Sequence, residues 1–115
     1  MKLSELVKTL NWQVLAGADS LDREVSGAYV SDLLSDVIGF ASQGQIWLTL
    51  QTHKNSIAVA SLKDLAALLI VKNLKPAEDT IAKAEEEGIP LISCTEETFE
   101  AAGRLFVELQ KNGVV

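Results

Sequence analysis

Two apolar runs of buried-strand length constrain the fold of this chain more than any other feature. Residues 46–50 and 67–71 are β-prone, and the second run has no polar alternation, so we expect it to be buried on both faces. Between them lie a polar cluster, residues 51–55, and a short helical stretch around residues 58–60. Strand, helix and strand in this order predict a βαβ unit with a parallel sheet.

The same alternation extends along the chain. Further strands are predicted around residues 12–15, 24–30 and 89–93, and the order from residue 31 onward is α-β-α-β-α-β-α. This order is typical of an α/β fold, here a three-layer α/β/α arrangement with a mostly parallel sheet. The first third of the chain is less regular and leaves room for an antiparallel edge. A length of 115 residues fits one domain, predicted over residues 1–115.

The helix starts and the last helix carry more specific predictions. Ser31 is predicted to cap one helix, with Asp32 at its positive end, and Asn55 to cap the next. The last helix offers two apolar stripes, one formed by Phe99, Ala102, Phe106 and Leu109 and the other by Ala101, Leu105 and Val107. One stripe is expected to cover the sheet and the remainder to pack on a second copy, so a homodimer is predicted.

The charge and the cysteine count exclude several classes of function. A net charge of −6 and a pI of about 4.7 disfavour nucleic acid and anionic membrane surfaces as partners. With one cysteine, Cys94, and one histidine, His53, the chain has no intrachain disulfide and too few ligands for a zinc site. No apolar run reaches membrane-spanning length and the first residues do not form a signal peptide, so the expected compartment is the cytoplasm.

Polar residues gather where the first buried strand ends. Ligands of open α/β sheets bind beyond the carboxyl ends of the strands, and here that edge carries Thr49, Gln51, Thr52, His53, Lys54 and Asn55. Thr49, Thr52 and Asn55 are suited to hydrogen-bond a nucleotide or phosphate at a helix N-terminus, although capping and turn closure explain the same residues without a ligand. His53 lacks an identifiable Ser, Cys or carboxylate partner, and Cys94 is interpreted as a small buried residue. The sequence therefore predicts no catalytic or metal site and names no cofactor.

Three segments in order give the chain a family resemblance. Residues 22–32, DREVSGAYVSD, residues 46–55, IWLTLQTHKN, and residues 87–92, EGIPLI, followed by TFEAAGRL at 98–105, are similar to the signature of DRTGG domains. The chain departs from the name-giving pattern, because Ser26-Gly27-Ala28 stands where the family has a threonine and two glycines.

The resemblance implies a fold and a class of function. It implies an α/β domain like the N-terminal domain of HPr kinase/phosphorylases and the first domain of Mur ligases. It also implies a non-catalytic regulatory or accessory role, with a small ligand or a protein partner. Within the motif, Asp22, Arg23, Ser26 and Gly27 join the candidate ligand-binding residues; Asp22 and Arg23 form either a ligand clamp or an ion pair that ties the front loop to the sheet.

Two other functions are weighed against this one. Some relatives are labelled HPr serine kinases, but a kinase of that type needs a glycine-rich phosphate loop ending in Gly-Lys-Ser/Thr, and this chain has none. A structural accessory protein of a hydrogenase or redox system is the other alternative. The absence of the phosphate loop makes an enzyme the weaker interpretation.

Overall fold

Helices and strands alternate along the chain as the apolar pattern predicts. The computed structural model describes all residues, 1–115. The helices are α1 (Leu3–Thr9), α2 (Leu34–Phe40), α3 (Asn55–Leu62), α4 (Glu78–Glu87) and α5 (Thr98–Lys111). The strands are β1 (Gln13–Ala16), β2 (Gly27–Val30), β3 (Gln45–Thr49), β4 (Ala67–Ile70) and β5 (Leu91–Ser93). None of the helices combines the length and the apolar character that a membrane crossing requires.

The five strands form one sheet in the order β1-β5-β4-β3-β2. Strands β2, β3, β4 and β5 run parallel to one another, whereas β1 pairs antiparallel with β5. The predicted parallel neighbours, β3, β4 and β5, are therefore confirmed. The irregular first third of the chain supplies both edges of the sheet, β1 and β2, and β1 is the antiparallel one.

Helices cover both faces of the sheet. Within β4, Ala67 and Leu69 belong to one core cluster and Leu68 and Ile70 to the other, because successive side chains of a strand point to opposite faces. The first cluster includes side chains of α1 and α5, and the second includes side chains of α2, α3 and α4. The architecture is a three-layer α/β/α fold, and β4 is buried on both faces as predicted.

The two predicted helix caps are wrong. Helix α2 begins at Leu34, and the hydroxyl of Ser31 instead accepts a bond from the Leu33 N–H at 3.2 Å, inside the turn before the helix. Asn55 is the first residue of α3, so its side chain does not cap that helix. At Ser31 the polar side chain closes a local turn, which competes with capping for the same residue type. At the start of α3 the Asn55 backbone N–H donates to the His53 ring at 3.4 Å.

Helix α5 packs on the sheet through a face that combines both predicted stripes, and Val107 of the second stripe is 47% exposed. Ala101, Leu105 and Leu109 are buried at spacings of four residues, whereas Phe99 and Phe106 are 89% and 54% exposed. Leu109, predicted with the phenylalanines, lies at the boundary between the stripes. The small side chain of Ala101 suits the close contact of the helix with the sheet, and the phenylalanines are left at the surface.

Candidate functional site

Two loops meet at the carboxyl edge of the sheet through Asp32. One carboxylate oxygen of Asp32, Oδ1, accepts bonds from the Thr49 hydroxyl at 2.9 Å and the Leu50 N–H at 2.8 Å. The Gln51 side-chain amide donates to the Asp32 carbonyl at 2.7 Å. Asp32 therefore joins the end of β2 to the end of β3, which is a different role from the helix-dipole contact predicted for it.

The next two loops are tied to the same edge by further bonds. The Thr52 carbonyl accepts bonds from the Thr80 hydroxyl at 2.8 Å and the Ala77 N–H at 3.4 Å. Beyond β4, the Lys72 N–H donates to the Glu96 carbonyl and the Asn73 N–H to the Cys94 carbonyl, both at 2.8 Å. Residues 31–33, 50–54, 71–77 and 94–97 thus form one connected surface, here called the carboxyl-edge surface.

The solvent side of this surface carries basic groups. His53, Lys54, Lys72 and Lys75 are all exposed. Lys54 lies 4.0 Å from Asp79, but Lys72 and Lys75 take part in none of the ion pairs of the structure. In a chain of net charge −6, Lys72 and Lys75 are therefore exposed cations without an ion-pair partner, on a surface that also carries the carboxylates of Asp32, Glu96 and Glu97.

The predicted carboxyl-edge residues have two kinds of environment. Thr49 is buried, and Thr49, Gln51 and Thr52 are held by the internal bonds described above. His53, Lys54 and Asn55 are exposed; the ring Nδ1 of His53 accepts only a long bond, 3.4 Å, from the Asn55 N–H. The inner three therefore order the surface, and the outer three are the groups open to a ligand.

The motif residues Asp22, Arg23, Ser26 and Gly27 lie at the opposite, amino-terminal edge of the sheet. The Arg23 guanidinium donates to the carbonyls of Leu65 at 2.8 Å and Gly88 at 3.3 Å, which precede β4 and β5. No ion pair forms between Asp22 and Arg23; the arginine ties the front loop to the sheet through these carbonyls instead.

A polar cavity of about 590 Å³ lies at this amino edge. Its seven lining residues are Arg23, Glu24, Ser26, Gln43, Gly44, Asp64 and Ala66. The Ser26 hydroxyl donates to the Gln43 carbonyl at 2.7 Å, and the Gln43 amide donates to Asp64 at 2.8 Å. The ten predicted site residues therefore form two separate groups, one at each edge of the sheet.

Three functional candidates escaped the sequence analysis: Asp32 as an organiser of the carboxyl edge, and Lys72 and Lys75 as its unpaired cations. The available signal was position, because Lys72 and Asn73 follow the buried run 67–71 directly and a parallel strand brings its end to the same edge as β3. Lys72 and Asn73 both have a positive φ, 63° and 54°, which sequence patterns do not reveal.

Among the remaining titratable groups, Cys94 has a shifted pKa. Burial, with the nearby Glu96 carboxylate, raises the pKa of Cys94 to about 11, which keeps its thiol protonated and poorly nucleophilic at neutral pH. The side chain is 5% exposed, as expected for a small buried residue. No three His, Cys, Asp or Glu residues lie close enough together to hold a metal ion.

Comparisons with known proteins identify the chain's relatives. Residues 5–106 match a protein-family model described as the DRTGG domain. A similar solved structure contains the CBS and DRTGG domains of the regulatory region of Clostridium perfringens pyrophosphatase, complexed with its activator diadenosine tetraphosphate. The two are 18% identical with a TM-score of 0.69; the match covers 91% of this chain and 45% of that one, so this chain spans less than half of its length. No curated protein matches the chain significantly.

Proposed function

The chain belongs to the DRTGG domain family, and from that premise we propose that it is a non-catalytic regulatory domain, one unit over residues 1–115, that binds a phosphate-bearing nucleotide. We assign the binding to the carboxyl-edge surface and the protein to the cytoplasm. The ligand would meet His53, Lys54 and Asn55 of the predicted set, together with Lys72 and Lys75. The amino-edge residues Arg23 and Ser26 would act in folding.

One observation carries this proposal: an acidic chain keeps two unpaired lysines on a surface that internal hydrogen bonds hold in place. Lys72 and Lys75 lie in the loop that follows β4. The Ala77 N–H of this loop donates to the Thr52 carbonyl, so the loop lies next to Thr52. Exposed lysines serve as phosphate ligands in proteins, because the compact ammonium group donates to several oxygens. The activator named for the similar pyrophosphatase regulatory region is a dinucleotide, which supports the same ligand class.

A melting experiment with defined probes tests the proposal. Purified protein is heated with inorganic phosphate, AMP, ATP or diadenosine tetraphosphate. A nucleotide at a concentration of about 100 Kd adds about 2.7 kcal/mol to the free energy of unfolding. For a chain of this size that corresponds to a rise in Tm of about 10 °C. The nucleotide should be recovered chemically intact, because the proposed role is binding.

Two variants locate the site. Lys72→Ala with Lys75→Ala should weaken binding at least about tenfold, since a hydrogen bond to a charged group contributes about 1.5–3 kcal/mol. Lys2→Ala is the matched control, because Lys2 is an exposed lysine without an ion pair, and its backbone pairs with that of Glu24 at the amino edge. Equal loss in both variants, or no nucleotide-dependent rise in Tm for the wild type, would reject the carboxyl-edge site.

We also propose that the domain is a homodimer. Support comes from α5, whose Phe99 and Phe106 are the large apolar side chains left uncovered by the sheet packing. Light scattering at micromolar concentration should give about twice the chain mass of 12.4 kDa. A monomer at every concentration would reject the dimer without affecting the ligand proposal.

A further inference from the structure

Exposed apolar side chains are concentrated around one edge of the sheet. Seven of the eleven large hydrophobic residues that are exposed belong to β2, to α2 and α5, or to the residue directly before α2, and Val115 follows α5. The most exposed are Phe99 at 89%, Phe40 at 73% and Leu33 at 63%. Scattered surface hydrophobic residues are ordinary, but a cluster on one edge marks a contact surface.

The centre of this cluster is strand β2, whose outer edge has no neighbour. In the sheet order β1-β5-β4-β3-β2, no strand follows β2. Beside it an apolar groove of about 500 Å³ runs between β2 and α5, with Leu48 and Leu109 at its buried base and Val30, Phe99, Phe106 and Val115 on its walls. Eight of the nine residues that line it are hydrophobic, and none is charged.

We propose that two copies of the chain dimerise through this edge, with their β2 strands paired antiparallel about a two-fold axis to form a continuous ten-stranded sheet. Phe99 and Phe106 of each copy then pack over the junction in the groove beside β2. This inference rests on the homodimer proposed above and gives it a surface. An edge strand satisfies its unpaired backbone groups with an identical strand, and a two-fold axis presents the same patch to itself.

The area of the patch suits a second copy. Phe99 and Phe106, exposed by 89% and 54%, together present about 290 Å², taking about 200 Å² for a full aromatic side chain. Val30 and Val115, exposed by 50% and 53%, add to it. A stable interface takes about 800 Å² from each partner, so the paired β2 strands and their flanking residues have to supply the remainder.

Charge also favours a second copy over a partner of opposite charge. Two chains of net charge −6 repel each other less where their contact surface has no charged side chains, and none of the side chains that line this groove is charged. On α5, Arg104 pairs with Glu96 and Lys111 with Glu108, whereas Glu100 takes part in no ion pair. A basic partner would have no acidic counterpart in the groove.

The test compares three proteins by light scattering and by backbone amide exchange at low and high protein concentration. The wild type should be dimeric, and the amides of residues 27–30 should exchange more slowly at high concentration. Phe106→Glu should be monomeric with concentration-independent exchange in β2. Leu62→Glu is the matched control: Leu62 is 70% exposed at the end of α3, which packs on the face of the sheet opposite to α5 and the groove, so this variant should remain dimeric.

Each other outcome overturns the inference in a recognisable way. A monomeric wild type would reject the dimer as well, and would leave the groove to a different protein. A dimer that survives Phe106→Glu would place the interface on another face and leave the homodimer standing. In a third outcome, Phe106→Glu dissociates the dimer but amide exchange in β2 of the wild type does not depend on protein concentration. That result would show that the two copies meet through their helices and not by strand pairing.

Discussion

At the scale of single residues, Arg23 shows that a family motif can act in folding. Its guanidinium reaches the carbonyls of Leu65 and Gly88, one before β4 and one before β5, from a loop that precedes β2. Partly buried carbonyls need donors, and no other side chain supplies these two bonds. The sequence predicted that this residue ties the front loop to the sheet as one of two alternatives, but it suggested Asp22 as the partner.

We expect Arg23→Ala to lower the free energy of unfolding by about 2–3 kcal/mol, since two bonds from a charged donor are lost and both carbonyls are left partly buried. Asp22→Ala should change it by less than about 0.5 kcal/mol, because Asp22 is exposed. Urea denaturation of the two variants measures the difference. Similar losses in both would show that the motif acts through its charges.

Cys94 couples stability to alkaline pH. Burial raises the pKa of its thiol from 9.0 to about 11, so the unfolded chain releases this proton at a lower pH than the folded chain. The contribution to stability is complete below pH 9.0 and is lost as the pH rises to about 11. We therefore expect the free energy of unfolding to fall more steeply across this range in the wild type than in Cys94→Ala. Parallel curves from urea titrations would contradict the raised pKa.

At the scale of elements, sequence patterns located the five strands well and the helix contacts less well. Apolar runs such as residues 67–71 are specific because few other structures bury every side chain in succession. In α5, by contrast, two apolar stripes lie side by side, and hydrophobicity alone does not rank Leu105 against Phe106. The choice depends on which side chains fit the surface of the sheet, and a tertiary fit of this kind is not encoded in helical periodicity.

The two stripes of α5 should respond differently to truncation. Leu105→Ala is expected to cost about 2–5 kcal/mol, because Leu105 is fully buried and its removal leaves a cavity. Phe106→Ala should cost less than about 1 kcal/mol in the monomer, since 54% of the residue is already in water. Chemical denaturation of the two variants, at protein concentrations below the dissociation constant of the dimer, measures the two free energies of unfolding. The reverse order would assign the phenylalanine stripe to the core.

At the scale of the whole molecule, the sheet separates the candidate residues into two groups that the sequence could not distinguish. Arg23 and Thr49 are 26 residues apart, and both stood as ligand contacts, yet one lies before β2 and the other at the end of β3. Parallel pairing of β2 with β3 was needed to show that these positions are at opposite edges. Strand direction in the first third of the chain was the missing information, because a short strand with a glycine fits either direction.

The proposed nucleotide binding and the proposed dimerisation should differ in their response to salt. Raising the salt concentration from 0.1 M to 1 M shortens the Debye length from about 10 Å to about 3 Å. Nucleotide affinity, which depends on exposed lysines, should therefore fall several-fold. Dimer affinity should stay constant or rise, because the groove is apolar and the chains share a net charge of −6. Titration calorimetry and sedimentation at both concentrations measure the two constants, and a dimer that dissociates in salt would indicate an interface built on ion pairs.

The pairing of β1 with β5 has a consequence for the order in which the chain folds. Gln13 is aligned with Ser93 and Val14 with Ile92, so a strand from the beginning of the chain completes its hydrogen bonds only with the last strand. Contacts between such distant segments are slow to form, because the entropy of closing a long loop is lost before the contacts stabilise the chain. We therefore expect β2, β3 and β4, which are joined by short crossovers, to assemble early. The first helix and strand would then dock late, as the closing step of folding.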